Sequence, residues 1–159
     1  DDLSSLRVLS SPVIGIIKII FFIKVFFMSK QYFTVQEANE LTSFLEETFQ
    51  NLISLNQKSQ DLDSQIDSIN NKLGSNGSNT VHQTLTTLTS ERNKTSGLME
   101  EHLNSINQKG ILVKSIEQGL VDFPSIKDGR EIYLCWNIGE ESIAYWHEID
   151  SGYSGRQPI

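Results

Sequence analysis

A seven-residue repeat of apolar side chains runs through the middle of the chain and constrains the fold more than any other feature. Steps of four and three residues from residue 41 to residue 73 meet ten positions, of which eight are Leu or Ile. These positions are Leu41, Leu45, Thr48, Leu52, Leu55, Ser59, Leu62, Ile66, Ile69 and Leu73. Because this spacing places them on one side of an α-helix, the repeat predicts a long amphipathic helix. Thr34 and Glu37 have the spacing of a capping box, so the helix is predicted to begin near Val35 and to end at Gly74.

A second helix is predicted from about residue 80 to residue 109. Its apolar positions are Val81, Leu85, Leu88, Leu98 or Met99, Leu103 and Ile106. The polar run 74–79 is rich in Gly, Ser and Asn, which indicates a turn between two antiparallel helices. One narrow apolar seam on each helix does not bury both helices. We therefore expect a partner helix, or a homodimer through the helices.

The chain changes from a helical to an extended pattern after Gly110. Short runs rich in β-forming residues predict three or four strands, at 111–114, 119–124, 131–137 and 142–148. The second run is expected to stop at Pro124, because proline lacks the N–H that a strand ladder uses. The sequence thus predicts an α+β protein with one domain over residues 28–159. In it a coiled-coil-like antiparallel hairpin (35–109) carries a small antiparallel sheet (111–159).

The connection between the last two strands decides which side chains share a face of the sheet. Gly139 and Glu140 are expected to form a two-residue loop, and strand alternation then sorts the side chains. The face expected to pack on the helices holds Ile132, Leu134, Trp136, Ile138, Ile143, Tyr145 and His147. The face expected to serve recognition holds Tyr133, Cys135, Asn137, Ala144, Trp146 and Glu148. A shift of one residue would exchange the two sets on one strand.

Residues 13–27 form an apolar run that is interrupted only by Lys18 and Lys24. The run is shorter than the ~20 apolar residues of a membrane-spanning helix. Three interpretations stay open. The first is that the run is translated upstream sequence before a natural start at Met28. The second is that it is a membrane anchor or uncleaved signal, and the third is that it is a genuine core element. A membrane partner is expected only if the run is genuine.

The balance of charge and the use of cysteine limit the class of protein. The net charge of −7 disfavours binding to DNA or RNA, because phosphates repel an acidic surface. A single cysteine excludes an internal disulfide, which favours the cytoplasm as the setting.

The C-terminal third carries a family resemblance. The residues concerned are Gly-Leu-Val-Asp-Phe-Pro (119–124), Asp-Gly-Arg-Glu-Ile-Tyr-Leu-Cys-Trp (128–136), Tyr-Trp-His-Glu (145–148) and Gly-Tyr-Ser-Gly-Arg-Gln-Pro (152–158), with Phe-Thr-Val-Gln-Glu-Ala-Asn-Glu-Leu (33–41) near the start. With these residues the chain, over about 32–159, resembles family 2203 of the bacterial domains of unknown function. The resemblance implies that the sheet residues are the hallmark of the family. It implies no activity.

Catalytic and metal-binding motifs are sparse in the sequence. There is no Cys-x-x-Cys, His-Glu-x-x-His or Gly-x-Ser-x-Gly spacing and no phosphate-binding loop, so no catalytic residue, metal site or cofactor is predicted. His147 and Glu148 are adjacent on a strand and are expected to point to opposite faces. Cys135 lies in the middle of a strand, where burial is expected to leave its thiol inert.

The candidate binding residues all lie on the predicted sheet or its tail. They are Asp122, Arg130, Tyr133, Trp146, His147, Glu148 and Arg156. The charged members either form a ring around Tyr133 and Trp146 or neutralise one another in structural pairs, and the sequence leaves both open. The favoured function is a non-enzymatic cytosolic module that binds a protein or a small ligand. The alternative is a small enzyme or metal-dependent protein centred on the same sheet, at His147, Glu148, Asp122 and Arg156.

Overall fold

A capping box begins the first helix, as predicted. In the computed structural model, which describes residues 31–72 and 79–159, the Thr34 hydroxyl accepts a hydrogen bond from the backbone N–H of Glu37. The Glu37 carboxylate in turn accepts the backbone N–H of Thr34 at 2.8 Å. The contacts divide the chain into Asp1–Gln31 and Tyr32–Ile159, and the helices and strands described below belong to the second unit. The predictions for 13–27 and for Leu73 to Ser78 lie outside the described residues.

Two long helices follow a short first one. Helix α1 (Val35–Asn39) ends early, and α2 (Thr42–Lys72) begins after a turn. The single helix predicted from Val35 is therefore interrupted, and Leu41 lies in the turn rather than on the helical seam. Helix α3 (Asn79–Asn107) packs against α2, and ion pairs join the two exposed flanks, Lys58 with Glu91 and Asp63 with Arg92. Among the helices described, none combines the length and the apolarity that crossing a bilayer requires.

Burial decreases along the helical hairpin with distance from the sheet. Leu45, Phe49 and Leu52 at the sheet end are fully buried. Beyond them on α2, Leu62 is buried, whereas Leu55, Ile66 and Ile69 remain partly exposed. On α3, Val81, Leu85 and Leu88 are also only partly buried. Two helices alone thus shield the tip of the hairpin less completely than helices and sheet shield its base.

The sheet has five antiparallel strands in sequential order. The strands are β1 (Leu112–Ser115), β2 (Leu120–Lys127), β3 (Arg130–Asn137), β4 (Tyr145–Glu148) and β5 (Gln157–Pro158). A short 3₁₀ turn (Tyr153–Gly155) precedes β5, and the sequence predicted neither element. The α+β architecture with a C-terminal sheet is confirmed. One face of the sheet, here called the inner face, packs on the helices through Trp136, Leu134, Val121 and Phe123.

The prediction that Pro124 stops its strand is wrong. Strand β2 continues to Lys127, with Pro124 opposite Tyr133 of β3. On the side of β2 that faces away from β3, no strand lies beside Pro124, because β1 pairs only as far as Asp122. Phe33 fills that place, since its N–H donates to the Pro124 carbonyl at 2.8 Å and its carbonyl accepts the Ser125 hydroxyl at 2.6 Å. The missing proline N–H therefore costs no ladder bond.

The predicted pairing of β3 with β4 is wrong by one residue. A two-residue loop would have placed His147 opposite Ile132, whereas His147 lies opposite Tyr133 and Trp146 opposite Leu134. The connection is longer than predicted, and it is fixed by Trp136, whose indole N–H donates to the Glu140 carbonyl at 2.9 Å. Because side chains alternate along a strand, this shift moves every β4 side chain to the other face.

Candidate functional site

The face of the sheet opposite the helices is here called the outer face. It carries polar side chains that are deeply buried. Asp122 of β2 pairs with Cys135 of β3, and Tyr133 of β3 pairs with His147 of β4. Asp122 is 1% exposed, His147 2% and Cys135 0%. Buried ionisable groups are rare unless they are paired or hold a ligand, so these three residues define the candidate site. We call Asp122, Cys135 and His147 the polar trio.

The hydrogen bonds of His147 fix the roles of its two ring nitrogens. Nδ1 lies 2.8 Å from the backbone carbonyl oxygen of Glu148, which only accepts, so Nδ1 carries a proton. Nε2 lies 3.1 Å from Oδ1 of Asp122. In a neutral imidazole this Nε2 would present a lone pair to a carboxylate oxygen, and two lone pairs repel. A proton or another cation therefore belongs between Nε2 and Oδ1.

The second oxygen of the Asp122 carboxylate is poorly satisfied. Its Oδ2 atom is buried and makes no hydrogen bond. The Lys114 ammonium lies 3.4 Å away as an ion pair, but the Lys114 side chain is 44% exposed and its Nζ also sits 5.4 Å from the centre of the Tyr133 ring. A half-solvated ammonium at this distance compensates a buried carboxylate only in part, so Oδ2 remains poorly satisfied.

The Cys135 thiol is inert as a nucleophile in this setting. Burial raises its pKa from the usual 9.0 to about 12, the Arg156 charge opposes that shift, and the Asp122 carboxylate adds to it. A thiol rather than a thiolate is therefore present at neutral pH, and thiols attack poorly. The expectation that Cys135 is buried and unreactive agrees with this geometry.

Arg156 closes the outer face beside the trio. Its guanidinium stacks on Tyr145 at 4.3 Å and on Tyr153 at 4.8 Å, and Nη2 lies 2.8 Å from the Glu140 carboxylate. Burial alone would lower the pKa of Arg156, and the hydrogen bond and charge of Glu140 outweigh it and raise that pKa. The C-terminal tail thus folds back over the sheet, held by a charge pair and two aromatic rings.

Comparison with known proteins places the chain in a family. The family described as "Uncharacterized conserved protein (DUF2203)" matches residues 31–159. The chain belongs to this family. Among curated proteins and among solved structures, no significant match to the chain was found.

The outer face of the DUF2203 domain gathers four of the seven residues predicted for its binding site. These are Asp122, Tyr133, His147 and Arg156. The prediction that Trp146 lines a recognition surface is wrong, because Trp146 is 7% exposed on the inner face, where Lys127 covers its ring at 4.3 Å. The shift in the pairing of β3 with β4 is the cause.

Arg130 and Glu148 lie apart from the trio. Arg130 Nη1 is 3.2 Å from Glu148 Oε1, and both side chains are largely exposed. They form a surface ion pair, as one of the two sequence interpretations held, and not a ring around Tyr133 and Trp146. Glu148 contributes to the site only through its backbone carbonyl, which orients His147.

Three residues at this site, Lys114, Cys135 and Glu140, are absent from the binding residues predicted from the sequence. The ligand atoms of the trio all lie within 4.8 Å of one another. Only the strand pairing brings them together, because the three residues come from three strands. A prediction that paired His147 with Tyr133 rather than with Ile132 would have brought the three residues together. Within residues 31–72 and 79–159 of the DUF2203 domain, it is the one group of three such side chains that could hold a metal ion.

The raised pKa of Cys135 makes the stability of the DUF2203 domain sensitive to alkali. The contribution is fully present below pH 9.0, the usual thiol value, and is lost as the pH rises towards the folded value of about 12, because only the unfolded thiol ionises in that range. We expect the free energy of unfolding to fall by up to about 1.4 kcal/mol per pH unit more than in Cys135→Ala. Urea unfolding between pH 8 and pH 11 measures both slopes, and equal slopes in the two proteins would refute the assignment.

Proposed function

We propose that this domain is a non-enzymatic interaction module that pairs with a second copy of itself through the helical hairpin. The observation that carries the proposal is the decrease in burial along the hairpin. Val81, Leu85 and Leu88 stay partly exposed, although they are the apolar positions of this half of α3. A second hairpin would bury these side chains as the helices of a four-helix bundle do.

The surface of α3 near the turn favours a second copy over an unrelated partner. Residues 79–90 contain no Asp, Glu, Lys or Arg. The Thr86 hydroxyl, on the same side of the helix, donates to the backbone carbonyl of His82 at 2.9 Å and so has a partner within its own helix. In a two-fold dimer each residue near the axis meets its own copy, and an uncharged surface avoids the repulsion that like charges would cause.

A shallow groove on α3 supports the proposed contact face. It has a volume of about 500 Å³ and follows one stripe of α3 through His82, Leu85, Thr86, Thr89 and Asn93, with Ser90 beside it. Leu85, Thr86 and Thr89 follow His82 by three, four and seven residues, which is the spacing of one helix face in helix-to-helix packing. The cytoplasm remains the proposed setting, since the single cysteine is a free thiol and the net charge of −7 disfavours nucleic acid.

A matched pair of threonine variants tests the proposal. Thr89→Lys places a charge in the groove, and Thr87→Lys places the same charge about 160° away around the same helix. Analytical ultracentrifugation of the full chain should show a concentration-dependent dimer in the parent and in Thr87→Lys. The dissociation constant of Thr89→Lys should rise at least about tenfold, which is 1.4 kcal/mol. A monomer throughout, or an equal effect of both variants, would overturn the proposal.

The alternative function, a metal-dependent protein, is favoured by a different observation. The polar trio on the outer face has the donor atoms of a transition-metal site, and nothing in the hairpin bears on it.

A further inference from the structure

We propose that Asp122, Cys135 and His147 bind one divalent transition-metal ion of the zinc class. The three side chains come from β2, β3 and β4, and their donor atoms lie within 4.8 Å of one another. They supply one oxygen, one sulfur and one nitrogen, and all three side chains are buried. A site on three strands of one sheet is rigid, because each strand is held by its neighbours.

The orientation of His147 is the first argument. Its Nδ1–H donates to the Glu148 carbonyl at 2.8 Å, which leaves Nε2 as the nitrogen that faces Asp122 and Cys135. Metal-binding histidines are commonly held in this way, with one ring nitrogen donating to a carbonyl and the other directed at the ion. The tautomer that this hydrogen bond selects is the one that binding requires.

The unsatisfied carboxylate is a second and independent argument. Asp122 Oδ2 is buried without a hydrogen bond, and Oδ1 faces a ring nitrogen that carries no proton of its own when the imidazole is neutral. A carboxylate that is 1% exposed normally has its oxygens bonded. A metal ion bound at Asp122 would complete the compensation that the half-exposed Lys114 ammonium, 3.4 Å from Oδ2, gives only in part.

The donor set selects the class of ion. Thiolate and imidazole are ligands for zinc and its neighbours in the first transition row, whereas magnesium and calcium take oxygen ligands. A tetrahedral zinc ion separates its ligand atoms by about 3.3–3.7 Å, given bonds of about 2.0–2.3 Å. The Nε2-to-Oδ1 distance of 3.1 Å is already close to that range. Three protein ligands leave a fourth position for water or a small ligand.

The charges balance on binding. A divalent ion replaces two protons, the one on the Cys135 thiol and the one between His147 and Asp122, and both protons pass to solvent. With these two protons in place the buried group carries no net charge. It is neutral afterwards as thiolate, imidazole, carboxylate and the divalent ion. No uncompensated charge is therefore buried at either stage, and the exposed Lys114 ammonium stays at the rim.

This inference does not depend on pairing of the hairpins. The trio lies on the outer face of the sheet, and the groove lies on α3, so each proposal has its own variants. Loss of the dimer in Thr89→Lys says nothing about the metal, and loss of the metal says nothing about the dimer.

Metal analysis and cobalt spectroscopy of the full chain form the test. The chain is stripped with a chelator, refilled with zinc and analysed for bound metal after gel filtration, and we expect one ion per chain. Cobalt is then substituted for zinc. A tetrahedral site with a thiolate ligand should give visible absorption from the metal and near-ultraviolet absorption from sulfur-to-cobalt charge transfer.

Two variants and a matched control locate the ion. Cys135→Ser removes the sulfur with little change in size, and it should abolish the charge-transfer band. Asp122→Asn keeps a hydrogen-bond donor for Nε2, so the fold is expected to remain while the affinity for zinc falls at least about 100-fold. Glu148→Gln is the control, because Glu148 adjoins His147 in sequence but pairs with Arg130 on the surface. Its metal content and spectrum should equal those of the parent.

Three outcomes would overturn the inference. One is a parent chain that retains no zinc after gel filtration. Another is a cobalt spectrum without a charge-transfer band in the parent. The last is equal metal content in the parent and in Asp122→Asn, with far-ultraviolet circular dichroism showing that the variant is folded, because the ion would then lie elsewhere.

Discussion

Replacement of Trp136 by Ala should lower the free energy of unfolding by about 3–5 kcal/mol, the largest loss expected for a single change in the core. Trp136 is fully buried on the inner face, where its ring centre lies 6.3 Å from that of Phe49 on α2. The substitution removes the main contact between sheet and helices, and it leaves a cavity that the rigid strands cannot close. Urea unfolding followed by circular dichroism measures the loss.

Trp136→Phe separates the two contributions of this side chain. Phenylalanine keeps most of the apolar area but cannot donate to the Glu140 carbonyl, which accepts the indole N–H at 2.9 Å. We expect a loss of about 1–2 kcal/mol from the missing hydrogen bond and the smaller ring. If Trp136→Ala and Trp136→Phe lower the free energy of unfolding equally, the hydrogen bond to the loop contributes more than the packing of the ring, and Trp136 does not stabilise the core mainly by its contact with α2.

Replacement of Asp122 by Ala should cost about 3 kcal/mol in chain freed of metal, because it removes the partner of a buried imidazole. His147 is 2% exposed, and its Nε2 lies 3.1 Å from Asp122 Oδ1. Without the carboxylate the ring keeps its bond to the Glu148 carbonyl, and Nε2 remains buried and unpaired. Urea unfolding in the presence of a chelator gives the value.

Asp122→Asn and Arg130→Ala provide the contrast. The asparagine amide can donate to the lone pair of Nε2, so Asp122→Asn should lose no more than about 1 kcal/mol. Arg130→Ala breaks an ion pair of similar geometry in which both side chains are largely exposed, and the loss should be below about 1 kcal/mol. A loss in Asp122→Ala as small as that in Arg130→Ala would show that the buried pair contributes no more than a surface pair.

The helices illustrate what local sequence decides. The Thr34 and Glu37 capping box depends on residues three apart, and both of its hydrogen bonds form as predicted. The periodicity of Leu and Ile predicted both long helices, because side chains three and four residues apart share a face whatever surrounds them. The break at Leu41 was missed, since the apolar repeat continues without interruption through the turn at Glu40 and Leu41.

The candidate site shows where local information ends. Tyr133, Cys135 and the other β3 side chains were sorted correctly along their own strand, but β4 was assigned one residue out of register. The error hid the trio, because it placed His147 on the face opposite Cys135. It also placed Trp146 on the surface.

The sequence by itself determined the class of fold, the order of helices and strands, and the start of the first helix, since spacing within one segment encodes each of these. Tertiary structure alone decided the pairing of β3 with β4, the continuation of β2 through Pro124, and the meeting of Asp122, Cys135 and His147. The physical reason is that strand pairing depends on contacts between distant segments. One register of β3 with β4 is selected by the Trp136 bond to Glu140 and by the need to bury Trp146. The Phe33 bond to Pro124 supports the continuation of β2. No short stretch of residues contains all three features.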